Sequence, residues 1–402
     1  MKSFKANEKL KLPPSALNKI LILWALALAS CSRHASFPGY VGSSSCVSCH
    51  AAEGALWKNS HHARALMEPH EHSAFQFWNG KRFEDGSSRY QFQAVGKKLR
   101  VSTDDVESGE KTFEVRQVIG VEPLVQFLAE TEPGKWQVLP LGWDTASNLF
   151  FYMHSAGVGT DDSLHWTRPA YGANHMCVEC HVTAYQKNFD TKTERYGSAF
   201  HEAGVACEAC HGPGQDHVRW AKTPAKERGP DTRLLHFAKH ADSLLETCAS
   251  CHSRRRTLAD GYTPGKKFTD FYLPEFLDGA AYHPDGQILE ENFEYGSFVQ
   301  SKMHAKGVRC TDCHEPHSGK TRAEGNHLCL RCHEAARFDL TAHHHHPIAS
   351  PGALCVNCHM PEKTYMVVHK RRDHSLRVPH PEISKALGTP NACSQCHVGR
   401  TA

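Results

Sequence analysis

Long apolar runs are almost absent from this sequence. Hydrophobic residues make up only 40% of the chain and charged residues only 22%. One apolar run stands out, over residues 20–29, and its roughly ten residues fall well short of the about 20 that a spanning helix needs. From His165 onward there is also no long periodic element, and aliphatic side chains are too sparse to bury a protein core. These shortages exclude a helical membrane protein and, for the second half, an ordinary hydrophobic core. What the chain has in excess is 17 Cys and 31 His in 402 residues, and those two residue types must be explained first.

Lys2, Lys5, Lys9, Lys11 and Lys19 precede the apolar run, which ends in small residues, so residues 1–30 read as an export signal. Leu28-Ala29-Ser30-Cys31 resembles the lipobox of bacterial lipoproteins, in which the cysteine is diacylated and becomes the new N-terminus. The alternative, cleavage after Ala27-Leu28-Ala29, leaves Cys31 as a free thiol in an oxidising compartment; lipidation removes that difficulty. The expected product is an exported lipoprotein hanging from its acyl chains. It would face the periplasm or sit on the outer membrane, which Ser32 would permit, with the cell surface as a further destination.

The other 16 cysteines fall without remainder into eight C-x-x-C-H units. The pairs are Cys46/Cys49, Cys177/Cys180, Cys207/Cys210, Cys248/Cys251, Cys310/Cys313, Cys329/Cys332, Cys355/Cys358 and Cys393/Cys396. They close with His50, His181, His211, His252, His314, His333, His359 and His397. This spacing attaches a c-type haem, with two thioethers to the vinyl groups and the adjacent imidazole beneath the iron. Zinc ribbons and disulfide frameworks also use paired cysteines, but neither requires a histidine after every second one. The expected cofactors are eight haem c, with those histidines as proximal ligands.

Haem reverses the charge balance. Loss of residues 1–30 removes five Lys and one Glu, so the formal +3 falls to about −1. Eight bis-propionate haems take it to roughly −9 oxidised and −17 reduced, which excludes nucleic acid as a partner.

Residues 31–72 carry the first motif and a helix with Trp57, His61 and His62. Residues 73–162 hold no motif. The alternation at 89–92, 99–101 and 112–115, with turn signals at Asp85-Gly86 and Ser108-Gly109, predicts a small β-rich insertion, either a wall packed on the haems or a docking surface. Residues 163–402 carry motifs 2 to 8 among glycines, prolines and short helical stretches. The fold class expected is a multihaem cytochrome c, with short helices and loops wrapped around close-packed haems. Without haem this part cannot offset its chain entropy.

Twenty-three histidines lie outside the motifs, so sixth ligands are not scarce. The candidates are His61 or His62, His165 in Leu164-His165-Trp166, His217 after Gly212-Pro213-Gly214, His317 in His314-Glu315-Pro316-His317, and His374 in Arg372-Asp373-His374-Ser375. One or two members of the run 343–346, with His344 and His345 as the choice, complete the set. His175 and His304 stay undecided, and His236, His240, His327 and His369 are weaker.

Most of the mature chain resembles multihaem cytochromes whose haem region is of cytochrome c554 type with a doubled C-x-x-C-H motif, often fused to tetratricopeptide repeats. The likeness is carried by residues 57–65, by 120–128 with Pro123, Leu124 and Gln126, and by Leu164-His165-Trp166-Thr167 and 207–214. It continues through 251–255, Gln300-Ser301-Lys302-Met303, 310–318, 355–361 and 388–392. The sequence departs from the fused members at Ala402, so no scaffold role of the repeats is expected. The resemblance implies bis-histidine haems in close-packed pairs. Saturated bis-histidine coordination and tight haem spacing would suffice for an electron carrier without catalytic residues, fed by a quinol-linked cytochrome and discharging to a terminal reductase or outer-membrane conduit in anaerobic respiration, and this is the expected function. The alternative is an oxidoreductase acting on a small nitrogen or sulfur species at a five-coordinate haem, although no motif ends in Lys and no tyrosine crosslink motif is present. A third reading is a conductive filament subunit, against which the lipid anchor argues.

Overall fold

A computed structural model describes residues 35–85, 88–153, 158–231, 233–237 and 241–399. The expected export signal, the lipidated Cys31 and His240 lie outside the described residues.

An antiparallel meander occupies the motif-free part of the chain. It runs through β1 (Leu66–Met67), β2 (Arg82–Asp85), β3 (Ser88–Val95), β4 (Lys98–Thr103), β5 (Lys111–Ile119), β6 (Leu124–Glu132), β7 (Lys135–Asp144) and β8 (Leu149–Tyr152). Strands β2 to β8 pair in chain order, and β1 adds to β5, so the sheet begins a few residues before the expected insertion. The alternating segments 89–92, 99–101 and 112–115 fall in β3, β4 and β5, whose inward residues Tyr90, Phe92, Leu99, Val101 and Val115 are buried. The sheet curls until its edges approach, with Phe83 of β2 stacked on Tyr152 of β8. Trp78, Phe92, Phe127, Trp143 and Phe150 pack inside it, with Phe92 stacked on Phe150 and the other ring pairs tilted or edge-on.

Seven consecutive residues of β7, 137–143, are buried. Leu139, Leu141 and Trp143 fill the inner core, while Val138 and Leu128 face outward onto Ala173, Val178 and Val182 around the second motif. The outer face is also held by polar contacts. Gln137 donates to the carbonyls of Trp166 (3.0 Å) and Arg168 (2.9 Å), and the amide of Asn174 accepts from the Trp136 N–H (2.8 Å). The sheet is therefore a wall against which motif 2 is mounted.

The rest of the chain is short helices, turns and two-stranded ribbons. One small cluster, of Ala249, Phe268 and Tyr272, lies near motif 4. Beyond Tyr295, among the described residues, there is no hydrophobic cluster at all. No helix among the described residues is long and apolar enough to cross a membrane.

Because the meander has a core made only of side chains, it should respond to mutation as an ordinary domain does. Trp143→Ala, at a fully buried site, is expected to cost about 3–5 kcal/mol. Guanidinium unfolding followed by far-ultraviolet circular dichroism measures this, with the visible haem spectrum in native buffer unchanged.

Candidate functional site

Each motif is one turn of helix. The backbone N–H of the closing histidine returns to the carbonyl of the first cysteine in His50 (3.0 Å), His252 (2.8 Å), His314 (2.9 Å), His333 (3.0 Å) and His397 (2.9 Å). Motifs 2, 3 and 7 lie in the helices Val178–His181, Cys207–His211 and Cys355–His359. In a helical turn residues i, i+3 and i+4 share a face, so both thiols and the imidazole point the same way. No disulfide joins these sixteen cysteines.

Those of motifs 1 to 6 line a continuous cavity of about 3900 Å³. A drug-sized ligand occupies roughly 300–1,000 Å³, so this space holds several large groups. His252 and the half-buried Glu294 both line this cavity.

By spacing alone Cys393 and Cys396 look like the other fourteen thiols, members of one close-packed interior, and here the structure differs. Cys355 and Cys358 of motif 7 and Cys393 and Cys396 of motif 8 do not line the cavity, and the thiols of motif 8 are exposed. The tight turn Ala392–Gln395 passes into Cys396, whose N–H donates to the Cys393 carbonyl (3.2 Å). Motif 7 is its neighbour on one side, where Gln395 donates to the Glu362 carbonyl (2.9 Å) and both Cys393 and Cys396 come near Cys358. Cys396 thus keeps the attachment geometry of its turn while standing at an open rim.

Across the site imidazoles face one another in pairs. His50 faces His217 at a ring-centre distance of 6.2 Å, His62 faces His252 at 6.1 Å, and His211 faces His317 at 6.5 Å. His314 faces His374 at 6.4 Å, His343 faces His359 at 6.3 Å, and His346 faces His397 at 5.8 Å. A metal bonded to both rings at about 2.0 Å, with about 1.1 Å from nitrogen to ring centre, requires about 6.2 Å. The residues present therefore fit an axially ligated haem. For His181 and His333 no second imidazole among the described residues stands at such a distance; a Phe338 edge meets His333 at 5.4 Å.

Of the histidines singled out in the sequence, His62, His217, His317 and His374 thus face motif histidines. From the run 343–346 it is His343 and His346 that do so, not His344 and His345. The helix Thr341–His344 ends at His345 with φ 59°, and the reversal sends the flanking rings to two different motifs. His61 is exposed beside Glu122 (3.6 Å). His165 is 1% exposed, with one ring nitrogen 3.0 Å from Asp105 and the other 2.9 Å from the Thr167 hydroxyl, and no motif histidine faces it. It ties the meander to motif 2 in company with Trp166, whose indole donates to the Asp105 carbonyl (3.0 Å).

The segment bearing His62 is held from afar. Val205 N–H donates to the His62 carbonyl (2.7 Å), and Trp57 donates to the Val205 carbonyl (2.9 Å). Gly204, at φ +75°, allows this approach, since a Cβ there would collide with the Ala63 carbonyl.

The second nitrogen of the facing rings is also engaged. His211, His359 and His374 meet the carbonyls of Leu235 (3.2 Å), Arg377 (2.9 Å) and Arg372 (3.0 Å), and the unpaired motif ring His181 likewise meets the Ala65 carbonyl (3.0 Å). His217, His317 and His252 meet the carboxylates of Asp231 (2.6 Å), Glu315 (3.0 Å) and Glu294 (2.9 Å). Burial pushes the Glu294 carboxyl up, but the hydrogen bond from His252 and the surrounding positive charge bring it down to about 2.

The motifs neighbour one another in a definite order. Cys46 neighbours Cys207, Cys180 neighbours Cys251, Cys248 neighbours Cys310, and Cys329 neighbours Cys355. Cys210 lies near Cys251, Cys313 near Cys332 and Cys358 near Cys393. The attachment points form a row, 1–3–4–5–6–7–8, with motif 2 beside motif 4.

One residue inside a motif has a structural role that spacing does not reveal. Glu208, 2% exposed, accepts from the backbone N–H groups of Val41 (3.0 Å), Gly42 (2.8 Å) and Gly214 (2.7 Å). It clasps motif 1 to motif 3. Glu208→Ala strips three N–H groups of a charged acceptor and is expected to cost at least about 3 kcal/mol. A lower unfolding midpoint, and incomplete haem attachment by intact mass, are the expected readings.

Two family models match parts of the chain. Cytochrome c554 and c-prime covers residues 155–212, hence motifs 2 and 3, and the doubled CXXCH motif covers residues 303–338, hence motifs 5 and 6. The multihaem cytochrome MtrA of Shewanella baltica (strain OS185) is 24% identical over 193 residues, 46% of this chain and 45% of the relative. The chain thus spans about half the length of the curated relative it matches. Among solved structures, the outer cell wall cytochrome OcwA superposes with a TM-score of 0.59 at 19% identity, over 90% of this chain and 84% of that one. The undecahaem cytochrome from the S-layer of Carboxydothermus ferrireducens gives 0.47 at 19% identity, over 95% and 61%. The first likeness is one of fold.

Proposed function

Since the chain is a multihaem c-type cytochrome, we propose that it carries eight haem c groups and conducts electrons along them as part of an exported respiratory chain. The observation that carries this reading is the set of six histidine pairs that face one another at the separation an axially ligated metal requires, set among neighbouring motifs. Each haem, once bound, supplies a one-electron carrier. The chain's own residues do the rest. Paired thiols fix each group covalently, and His217, His317, His62, His374, His343 and His346 serve as sixth ligands for motifs 1, 3, 4, 5, 7 and 8. The hydrogen-bonded second nitrogens fix ring orientation. The donor is a quinol-linked cytochrome, and the acceptor is a terminal reductase or an outer-membrane conduit. Residues 1–30 direct export and Cys31 carries the lipid anchor, a reading supported by the lysine-flanked apolar run and the lipobox-like Leu28-Ala29-Ser30-Cys31.

A second reading draws on His181 and His333, which no described imidazole faces. An open position above either would suit an oxidoreductase acting on a small nitrogen or sulfur species.

Intact mass of the purified protein should show eight haem additions. Electron paramagnetic resonance of the oxidised protein should show low-spin iron only, and His217→Ala should convert one of the eight irons to high spin. High-spin iron in the unmutated protein that shifts on addition of nitrite or hydroxylamine would transfer the assignment to the second reading.

A further inference from the structure

The partners of the axial histidines are not distributed evenly along the row. The pairs at motifs 1, 3 and 4 each include one ring bound to a carboxylate: His217 to Asp231, His317 to Glu315 and His252 to Glu294. The pairs at motifs 5, 7 and 8 have rings bound to neutral backbone carbonyls: His374 to Arg372, His359 to Arg377 and His346 to His344. The division falls between motifs 4 and 5, where Cys248 meets Cys310.

A carboxylate that accepts from the second nitrogen of an axial imidazole draws its proton away from the ring. The ring becomes a stronger donor and favours the more highly charged, oxidised iron, whereas a carbonyl does this far less. We infer that Asp231, Glu315 and Glu294 are positioning residues that lower the potentials at motifs 1, 3 and 4 below those at motifs 5, 7 and 8. The row is thereby polarised, and an electron loses free energy on crossing from motif 4 to motif 5. Only an electron moves in that step: the iron at motif 4 is oxidised, the iron at motif 5 is reduced, and no bond forms or breaks.

Nearby cations temper the effect without removing it. Asp231 has Arg233 at 3.6 Å and His236 at 3.7 Å. Near Glu294, Arg371 is already paired with Glu291 at 2.6 Å. In each case the imidazole remains the closer partner of the carboxylate. Glu315 instead takes a backbone N–H from Ser318 (2.6 Å) on its second oxygen.

This inference rests on the histidine pairing proposed above, and the experiment separates the two. Glu294→Gln, Glu315→Gln and Asp231→Asn holoproteins are each titrated electrochemically, with every haem followed by its own paramagnetic resonance signal. Each variant is expected to move one midpoint potential in the positive direction and shift the g values of that haem alone. In the unmutated protein the three haems so identified are expected to be lower than those at motifs 5, 7 and 8. Unchanged midpoints with eight haems attached would overturn the inference, as would a mover that ranks above those haems. If Glu294→Gln fails to load all its haems, Asp231→Asn, at a site nearer the surface, decides by the same criterion. Fewer than eight haems in the unmutated protein would count against the proposed function, and hence against the pairing on which the inference stands.

Discussion

The hydrogen bond from each motif histidine back to its first cysteine closes a single turn of helix, and the arrangement of the second half depends on that turn. It brings two sulfurs and one imidazole to a common face with five residues, a length at which no isolated helix is stable in water. What holds eight such turns in place is not side-chain packing, because the described chain beyond Tyr295 has no hydrophobic cluster. The apolar surface needed for a core is that of the porphyrins, and the chain supplies clamps around them. Many of those clamps are polar, as at Glu208, or reach across the cavity, as the facing histidines do.

The meander obeys different rules. Its core is aromatic and closed, and its outer face at β6 and β7 is as apolar as its inner face because motif 2 is seated there. A wall with a core of its own gives the second motif a reference surface. Ala65, just before β1, supplies the carbonyl that His181 meets, and His62, three residues earlier, faces His252. The meander therefore bears on motif 4 as well as on the motif packed directly against it.

How much of this is legible in the sequence follows from the range of each interaction. The attachment motifs are wholly local, so spacing alone reveals them, although it does not tell motifs 7 and 8, whose thiols lie off the cavity, from motifs 1 to 6, whose thiols line it. β3, β4 and β5 are legible because each has one wet face and so alternates; β6 and β7 are buried on both faces and leave no alternation to read. The facing histidines are the least legible, because His62 and His252 stand 190 positions apart and His50 and His217 stand 167 apart. Composition picks out the run 343–346, but the left-handed turn at His345 decides which members face a motif. His165 looks, by sequence, no different from His217, and only the buried Asp105 beyond β4 distinguishes it.

The long-range pairs and the short-range ones also differ in what they allow. At the C-terminal end His343 faces His359 and His346 faces His397, so both members of each pair come from one stretch of about 55 residues. At the other end the pairs interleave: the partner of motif 1 follows motif 3, and the partner of motif 4 follows motif 1. No cut between residues 62 and 217 separates that half without orphaning a ring on each side. The interleaved half is thus an indivisible unit that must be inherited whole, and the last two sites are fastened to it in turn, because His374, inside their own stretch, faces His314 of motif 5.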